Sequence, residues 1–182
     1  MKVNFLFIIL LISGTNLALA QSSEDEESEG KKRHAITASI GHTTIGEGIS
    51  NGRKRNLILP SWGLNYDYHL NDRWAIGLHT DIIIEEFEVE IEGNDNVLVT
   101  IERSRPVSMA VTASHRVSKY LILSAGAGRE LAPEENFTIF RFGAEPFFKL
   151  PNEFELVATI AFDVRVDAYN AFNFALGIAK FF

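Results

Sequence analysis

The residues in this chain best suited to chemistry are His79 and Asp81, which stand two positions apart. In a β-strand this spacing places both side chains on one face, where the carboxylate can orient a histidine that acts as a general base. Glu145 is a candidate third member, and Ser108 and Ser124 are candidate nucleophiles because their strand phase is inward. Nucleophilic catalysis also needs a serine against the histidine and an oxyanion site near both. No motif in the chain supplies that arrangement, so the sequence predicts no catalytic site.

The remaining chemistry-bearing residues do not form a ligand set. The five histidines are scattered, and none of their spacings is that of a dedicated metal site. The chain contains no cysteine, which excludes disulfide and thiolate chemistry. Gly46 and Gly48 begin a phosphate-loop pattern, but Asn51 stands where its last glycine would fall. We therefore expect neither a metal nor a cofactor, and only His79 with Asp81 is left open as a metal pair.

The segments that must position these residues read as β-strands. From His34 onward the hydropathy alternates with period two, which is typical of strands with two different faces. The final strand shows this best, because Phe172, Phe174 and Phe182 share one face while the other face carries mostly small residues. Turn-rich segments separate eight candidate strands at 34–45, 56–70, 73–92, 97–116, 120–130, 136–149, 153–168 and 170–182.

The strand phase sorts apolar and charged side chains onto opposite faces. One face is largely apolar, and Trp62, Tyr66, Tyr68 and Trp74 flank a turn where an interfacial aromatic belt is expected. The opposite face of an eight-stranded barrel fills the lumen, so its mixed charges are expected to form ion pairs. The candidate lumen network consists of His79, Asp81, Glu85, Arg141, Glu145, Glu155, Asp163 and Arg165.

The N-terminal segment reads as an export signal followed by a tail. Residues 1–20 have a basic start, an apolar run and a small-x-small site, which predicts a signal peptide cleaved after Ala20. Residues 21–33 contain no apolar side chain and are expected to be a disordered acidic periplasmic tail. Residues 34–182 then form one domain. The formal net charge of −7 argues against a nucleic-acid partner.

The third and fourth candidate strands are predicted to form one long hairpin around a loop at 93–96. A constant register pairs Leu78 with Val111 and, further out, Glu86 with Arg103, where the face turns from apolar to charged. We expect this hairpin to protrude from the outer surface beside a long connection at 46–56. The candidate outer-surface interaction residues are Arg53, Lys54, Arg55, Glu86, Glu88, Glu90, Glu92 and Arg103.

An export signal, eight alternating strands and a terminal aromatic residue resemble small bacterial outer-membrane β-barrel proteins of the OmpA/OmpX type, over about residues 34–182. The resemblance implies an all-β, eight-stranded antiparallel up-and-down transmembrane barrel in the outer membrane, with both termini in the periplasm. It also implies that Phe182 is an assembly signal for the barrel-assembly machinery. The implied partners are outer-membrane lipid, lipopolysaccharide and a surface protein, since exposed strand edges can add a partner strand.

These observations favour a structural or surface-interaction protein with a side-chain-filled lumen and no catalytic role. Three alternatives remain open. A narrow channel for small solutes needs a continuous water path between the interior charges. An outer-membrane lipid-modifying enzyme needs a serine, a histidine and an acid together near one rim. A soluble lipocalin-like barrel that binds an apolar ligand needs the apolar faces to point inward.

Overall fold

The computed structural model describes residues 32–50, 52–92 and 98–182. The predicted signal peptide at 1–20 and nearly all of the predicted tail at 21–33 lie outside the described residues. The strands are β1 His34–Ser50, β2 Arg53–His69, β3 Trp74–Ile83, β4 Glu86–Glu92, β5 Leu98–Ser104, β6 Val107–Ser118, β7 Leu121–Leu131, β8 Phe137–Leu150, β9 Phe154–Arg165 and β10 Asn170–Phe181. In these ranges no helix is long and apolar enough to cross a membrane.

Eight of these strands close into an antiparallel barrel. Their order around the barrel is β1, β2, β3, β6, β7, β8, β9 and β10, and β10 pairs back to β1. The closing seam runs from the pair Ala35–Phe181 to the pair Ile45–Ala171. Sequence neighbours are therefore sheet neighbours, except where β4 and β5 intervene, and the predicted eight-stranded up-and-down barrel is confirmed.

Large apolar side chains cover the outside of the barrel wall. Ile40, Ile58 and Trp62 expose 67%, 69% and 60% of their surface, respectively. Along β10, exposed Phe172 and Phe174 alternate with buried neighbours, as period two requires. A lipocalin-like barrel needs the reverse arrangement, with apolar side chains inside, so the observed faces do not have the arrangement which that alternative requires.

The two ends of the barrel differ, and we name them by what lies there. The termini end carries His34, Phe182 and the short turns at 70–73, 119–120 and 151–153. There the His34 N–H donates to the Phe182 carbonyl at 3.2 Å, and the Phe182 N–H donates to the His34 carbonyl at 2.9 Å. The hairpin end carries β4, β5 and the connections between β7 and β8 and between β9 and β10.

The Glu153 carboxylate at the termini end forms ion pairs with Lys32 and with Lys180 of the last strand. It contacts the Lys32 ammonium and lies 3.2 Å from Lys180 Nζ, and hydrogen bonds from both lysines hold the pKa of Glu153 below its ordinary value of 4.5. Because the pKa is lowered on folding, this contact stabilises the barrel above pH 4.5, and its contribution is lost as the pH falls through the lowered pKa. We expect Glu153→Gln to be less stable than the wild type at pH 7 in urea titrations. The difference should vanish in acid, and a constant difference at every pH would contradict this interpretation.

The first hairpin is longer than predicted. The sequence placed a connection at 46–56, but β1 continues to Ser50 and β2 begins at Arg53. The register is irregular between Ile45 and Gly48, and the ladder then continues to the pair Ser50–Arg53. This part of the hairpin has no alternating apolar face, so only its backbone pairing identifies it as strand. The predicted long connection is therefore wrong.

The predicted long hairpin consists of two ladders with different registers. β3 and β6 pair as predicted, with Leu78 opposite Val111. Beyond them Glu86 pairs with Ser104, not with Arg103 as predicted. A shift of one residue exchanges the two faces of a strand. The shift therefore turns Arg103 away from the outer surface.

The register breaks where the chain leaves the barrel wall. β3 ends at Ile83, and on the returning strand Arg105 has a φ of 49° next to Pro106. A positive φ at a residue other than glycine is a local bend, and proline has no N–H with which to continue a ladder. The Ile83 N–H instead donates to the Pro106 carbonyl at 3.2 Å. These features end the barrel strands and let the hairpin change direction.

The β4–β5 hairpin crosses the open end of the barrel instead of protruding. Gly48 of β1 pairs with Arg55 of β2 on one side and with Val89 of β4 on the other. β4 therefore takes the edge of β1 that β10 leaves free beyond Ala171. β3 and β4 are separated in the sheet by β2 and β1. Between Ile83 and β4 the chain must therefore pass over the open end of the barrel. The distal part of β1, Ile45–Ser50, and the distal part of β2, Arg53–Leu57, form a four-stranded sheet with β4 and β5. This sheet is here called the outer sheet.

The inner face of the outer sheet buries apolar side chains over the barrel opening. The ring of Phe87 contacts Tyr169 edge-on, with centroids 5.9 Å apart, and Tyr169 contacts Phe137 in the same way at 6.2 Å. Phe87 and Val89 come from the hairpin, so these contacts join the hairpin to the barrel wall. This apolar plug consists of Ile45, Leu59, Ile83, Phe87, Val89, Phe137, Tyr169 and Ala171.

Candidate functional site

A carboxylate with four hydrogen-bond donors lies next to the apolar plug. Glu130 is fully buried, and its Oε1 accepts from Arg103 Nη2 and from Tyr169 Oη, each at 2.6 Å. Its Oε2 accepts from Arg165 Nε at 2.6 Å and from Ser108 Oγ at 3.3 Å. Hydrogen bonds between ionised groups are about twice as strong as neutral ones. This Glu130 cluster joins the hairpin to the barrel wall, because Arg103 belongs to β5 and the other members belong to the wall or its turns.

A second ion-pair cluster is centred on Arg141 of β8. Its guanidinium donates two hydrogen bonds to Asp163, from Nε to Oδ1 and from Nη2 to Oδ2, both 2.7 Å long. The remaining Nη1 lies 2.6 Å from Asp81 Oδ2 on β3. The bidentate geometry is the one that best matches a planar guanidinium to a carboxylate. One arginine therefore contacts two carboxylates inside the barrel.

His79 lies in a third group of lumen side chains. Its Nε2 is 3.1 Å from Asp67 Oδ1, whereas its Nδ1 is 3.8 Å from Glu145 Oε1, which is beyond hydrogen-bond distance. Ser108 is bonded within the Glu130 cluster. In the ranges that the structure covers, no serine forms a hydrogen bond with His79. His79 is therefore paired with Asp67 and not with Asp81, which binds Arg141, so these residues do not form the predicted catalytic pair.

A small cavity lies at the termini end of the lumen. Its volume is about 40 Å³, enough for about one water molecule. The lining includes the carboxylates of Asp67, Glu145 and Glu155 and the guanidinium of Arg116. Arg116 lies 4.0 Å from Glu155 and stacks over the Phe147 ring at 4.7 Å. Among the described residues no cluster of three or more histidine or acidic side chains is suited to a metal ion.

The structure places most of the predicted lumen residues inside the barrel. Those with buried or half-buried side chains are His79, Asp81, Arg141, Glu145, Glu155, Asp163 and Arg165. Glu85 is the exception and is exposed. Its predicted lumen position is wrong because β3 ends at Ile83, so Glu85 lies in the link to β4 and not on a barrel strand.

Several lumen residues were missed in the sequence. Asp67 lies in phase with Ser61 and Asn65, so the alternation along β2 would have identified it. Glu130 lies in phase with Ser124, which already had an inward assignment, so the same rule applied to it. Arg103 carried no such signal, because its inward position depends on the register shift at the start of the hairpin.

The predicted outer-surface residues differ in exposure. Arg53, Lys54, Arg55, Glu86 and Glu88 are exposed and Glu90 is half-buried, whereas the side chain of Glu92 lies outside the described residues. Lys54 Nζ is 2.7 Å from Glu47 Oε2 and 3.7 Å from Glu90 Oε2, so the two distal hairpins contact each other through charge.

Arg103 does not belong to the outer surface. It is fully buried, with Nη1 donating to the Glu135 carbonyl at 2.7 Å and Nη2 bound to Glu130. The predicted exposed position is wrong because the register shift directs this side chain inward. At the opposite end of the barrel Phe182 is 51% exposed and stacks on His34, with ring centroids 5.6 Å apart.

Solved structures of two bacterial proteins are similar to this chain. Ail, the attachment invasion locus protein of Yersinia pestis, is 16% identical, with a TM-score of 0.55 over 84% of this chain and 100% of that chain. The N-terminal β-barrel domain of Pseudomonas aeruginosa OprF is 12% identical, with a TM-score of 0.54 and the same coverage. No family model and no curated protein sequence matches the chain. The chain therefore has the closed eight-stranded fold of small outer-membrane barrels.

Proposed function

We propose that this protein is an integral barrel of the bacterial outer membrane with a closed lumen, no catalytic role and an outer sheet that contacts other molecules. In this proposal the termini end faces the periplasm and the hairpin end faces outward. Residues 1–20 direct export, residues 21–33 form a periplasmic tail, and Phe182 is recognised by the barrel-assembly machinery.

The apolar belt around the barrel is the observation that carries this proposal. Large apolar side chains on several strands are more than half exposed, including Ile40, Ile58, Leu176, Phe142 and Phe148. Soluble monomers rarely expose contiguous apolar patches larger than a few hundred Å². The hydrocarbon core of a bilayer would cover such a belt, and polar side chains would fill the inside, as in small outer-membrane barrels.

The filled lumen supports a structural role over that of a channel. The apolar plug covers one end. Below it the Glu130 cluster bridges β7 and β9, and the Arg141 cluster spans the lumen from β8 to β3. Eight-stranded barrels have an interior just wide enough for side chains to fill. A water path for solutes would have to pass both clusters and the plug.

The charged rim at the hairpin end supports contacts with lipopolysaccharide. Arg53 and Arg55 are exposed near the tip of the first hairpin, and Arg105 and Arg129 are exposed near the upper edge of the wall. Guanidinium groups bind phosphate with matched, often bidentate geometry. These arginines are therefore suited to the anionic headgroups expected around this end.

Fractionation of the native cell envelope, followed by a gel of boiled and unboiled protein, tests the location and the closed barrel. We expect the protein in the outer membrane, and a mobility that changes on boiling. Recordings of the purified protein in planar bilayers should show no conductance steps. Recovery from the soluble periplasm would overturn the membrane assignment, and regular conductance steps would overturn the closed lumen.

A further inference from the structure

The outer sheet ends in a strand edge that no described strand covers. Within the described ranges β5 pairs only with β4, whereas every barrel strand has a neighbour on each side. One end of this edge is capped, because the Ser104 N–H donates to Glu134 Oε2 at 3.2 Å. The rest, from Leu98 to Glu102, is a row of backbone donors and acceptors, which is a template for another strand.

The Ser104 contact also shows which residues face the free edge. Backbone N–H and C=O groups along a strand point alternately to its two sides. Because the Ser104 N–H points to Glu134 and away from β4, the groups of Glu102 and Thr100 are directed to the free edge as well. An incoming strand would therefore meet the backbone at Thr100 and Glu102.

The inner flank of this edge is apolar and incompletely covered. Val99 is 43% exposed, and Ile101 is half-buried against the apolar plug. Both side chains point to the same face as Phe87 and Val89, since Val99 pairs with Ile91 and Ile101 pairs with Val89. A strand added beside β5 would extend this apolar layer with its own inward side chains.

The outer flank of the edge carries like charges at close range. Glu88 lies directly opposite Glu102 in the β4–β5 ladder, and both side chains are exposed. Like charges directly opposite each other destabilise an antiparallel pair. Glu86 and Glu90 lie on the same face. Among the described ion pairs, Lys54 is the one cation that contacts a carboxylate of this face, with Nζ 3.7 Å from Glu90 Oε2. A cation beside Glu102 would relieve this repulsion.

We propose that the free edge of β5 binds an extended polypeptide segment in which basic residues alternate with apolar residues. The apolar side chains would pack beside Val99 and Ile101, and the basic side chains would lie beside Glu102 and Glu88. A second copy of β5 fits less well, because it would bring another carboxylate, its own Glu102, to the same face and no cation. This inference rests on the proposed function, which places the hairpin end outside the cell.

A ten-residue peptide of alternating lysine and valine is the probe, titrated as a fluorescent conjugate against the purified barrel in lipid nanodiscs. We expect saturable binding, followed by fluorescence anisotropy. Two control peptides have the same residue composition, one with its lysines and valines in separate blocks and one N-methylated at every backbone nitrogen. Both should bind more weakly, because one lacks the alternation and the other cannot complete a ladder.

Protein variants locate the site. Thr100→Pro removes an N–H at the free edge, where proline is tolerated, and should abolish binding while unboiled protein keeps its gel mobility. Glu102→Gln should weaken binding about two- to fivefold, the range of one exposed ion pair. Absence of saturable binding, or equal binding of the N-methylated peptide, would overturn the proposal. Neither result would alter the location or closure of the barrel, which the fractionation and conductance experiments decide.

Discussion

Replacing Glu130 with glutamine is expected to lower the free energy of unfolding by about 3–5 kcal/mol, the range for breaking a buried ion pair. The carboxylate is fully buried and accepts hydrogen bonds from Arg103, Arg165 and Tyr169. Glutamine has the same shape but no charge, so both guanidinium groups would lose their buried counter-ion. Urea titration of folding into phospholipid vesicles, with the folded fraction taken from unboiled gels, measures the change.

Glu102→Gln is the matched control, because the same change is made at an exposed carboxylate. It should lie within about 0.5 kcal/mol of the wild type, as is usual for surface substitutions. Adding Arg165→Met to Glu130→Gln should cost less than the sum of the two single changes, since the groups share one cluster. Additive effects, or a loss at Glu130 no larger than that of the control, would mean that this cluster does not hold the hairpin end together.

The barrel wall could be predicted from the sequence because one physical rule governs it. Each wall strand has one face on the outside of the barrel and one in the lumen, so its side chains alternate in polarity with period two. Along β10 that rule assigned Phe174 outward and Asn173 inward, and the structure places them so. The pairing of Leu78 with Val111 followed from the same alternation.

The outer sheet could not be predicted in the same way because its strands lie outside the two-sided wall. The position of β4 depends on a change of direction after Ile83 and on an edge of β1 that β10 leaves free. Neither feature has a local pattern in the sequence. Once the register moves by one residue, Arg103 changes from an outer-surface residue to a buried one.

The same reasoning explains why Phe87 and Val89 were seen as one face of a hairpin but not as a plug. Their alternation with Glu86 and Glu88 shows an amphipathic hairpin. It does not show what the apolar face covers. The partners, Ile45, Phe137 and Tyr169, come from separate wall strands and turns, and only the crossing of the hairpin brings them together. Closure of the barrel is thus a tertiary property of the hairpin end.

Phe87→Ala is expected to detach the β4–β5 hairpin while the eight-stranded wall stays folded. Phe87 is 6% exposed and packs edge-on against Tyr169, and truncating a buried phenylalanine costs about 3–5 kcal/mol. The ladder between β4 and β1 is short, consisting of Gly48 with Val89 and Ile49 with Glu88. We expect faster hydrogen exchange in β4 and faster cleavage of the hairpin by a glutamate-specific protease, with unchanged gel mobility of the unboiled barrel.

Two further variants test whether docking of the hairpin through the apolar plug protects it from hydrogen exchange and cleavage. Val99→Ala shortens an apolar side chain of the same hairpin that is 43% exposed, and it should leave exchange and cleavage near wild-type rates. Adding Ile49→Cys and Glu88→Cys to Phe87→Ala places a cysteine pair at directly opposite positions of β1 and β4. Oxidation should then restore protection, and reduction should remove it again. If Phe87→Ala instead unfolded the wall together with the hairpin, the plug would be part of the barrel core, and the hairpin would not be a separately docked element.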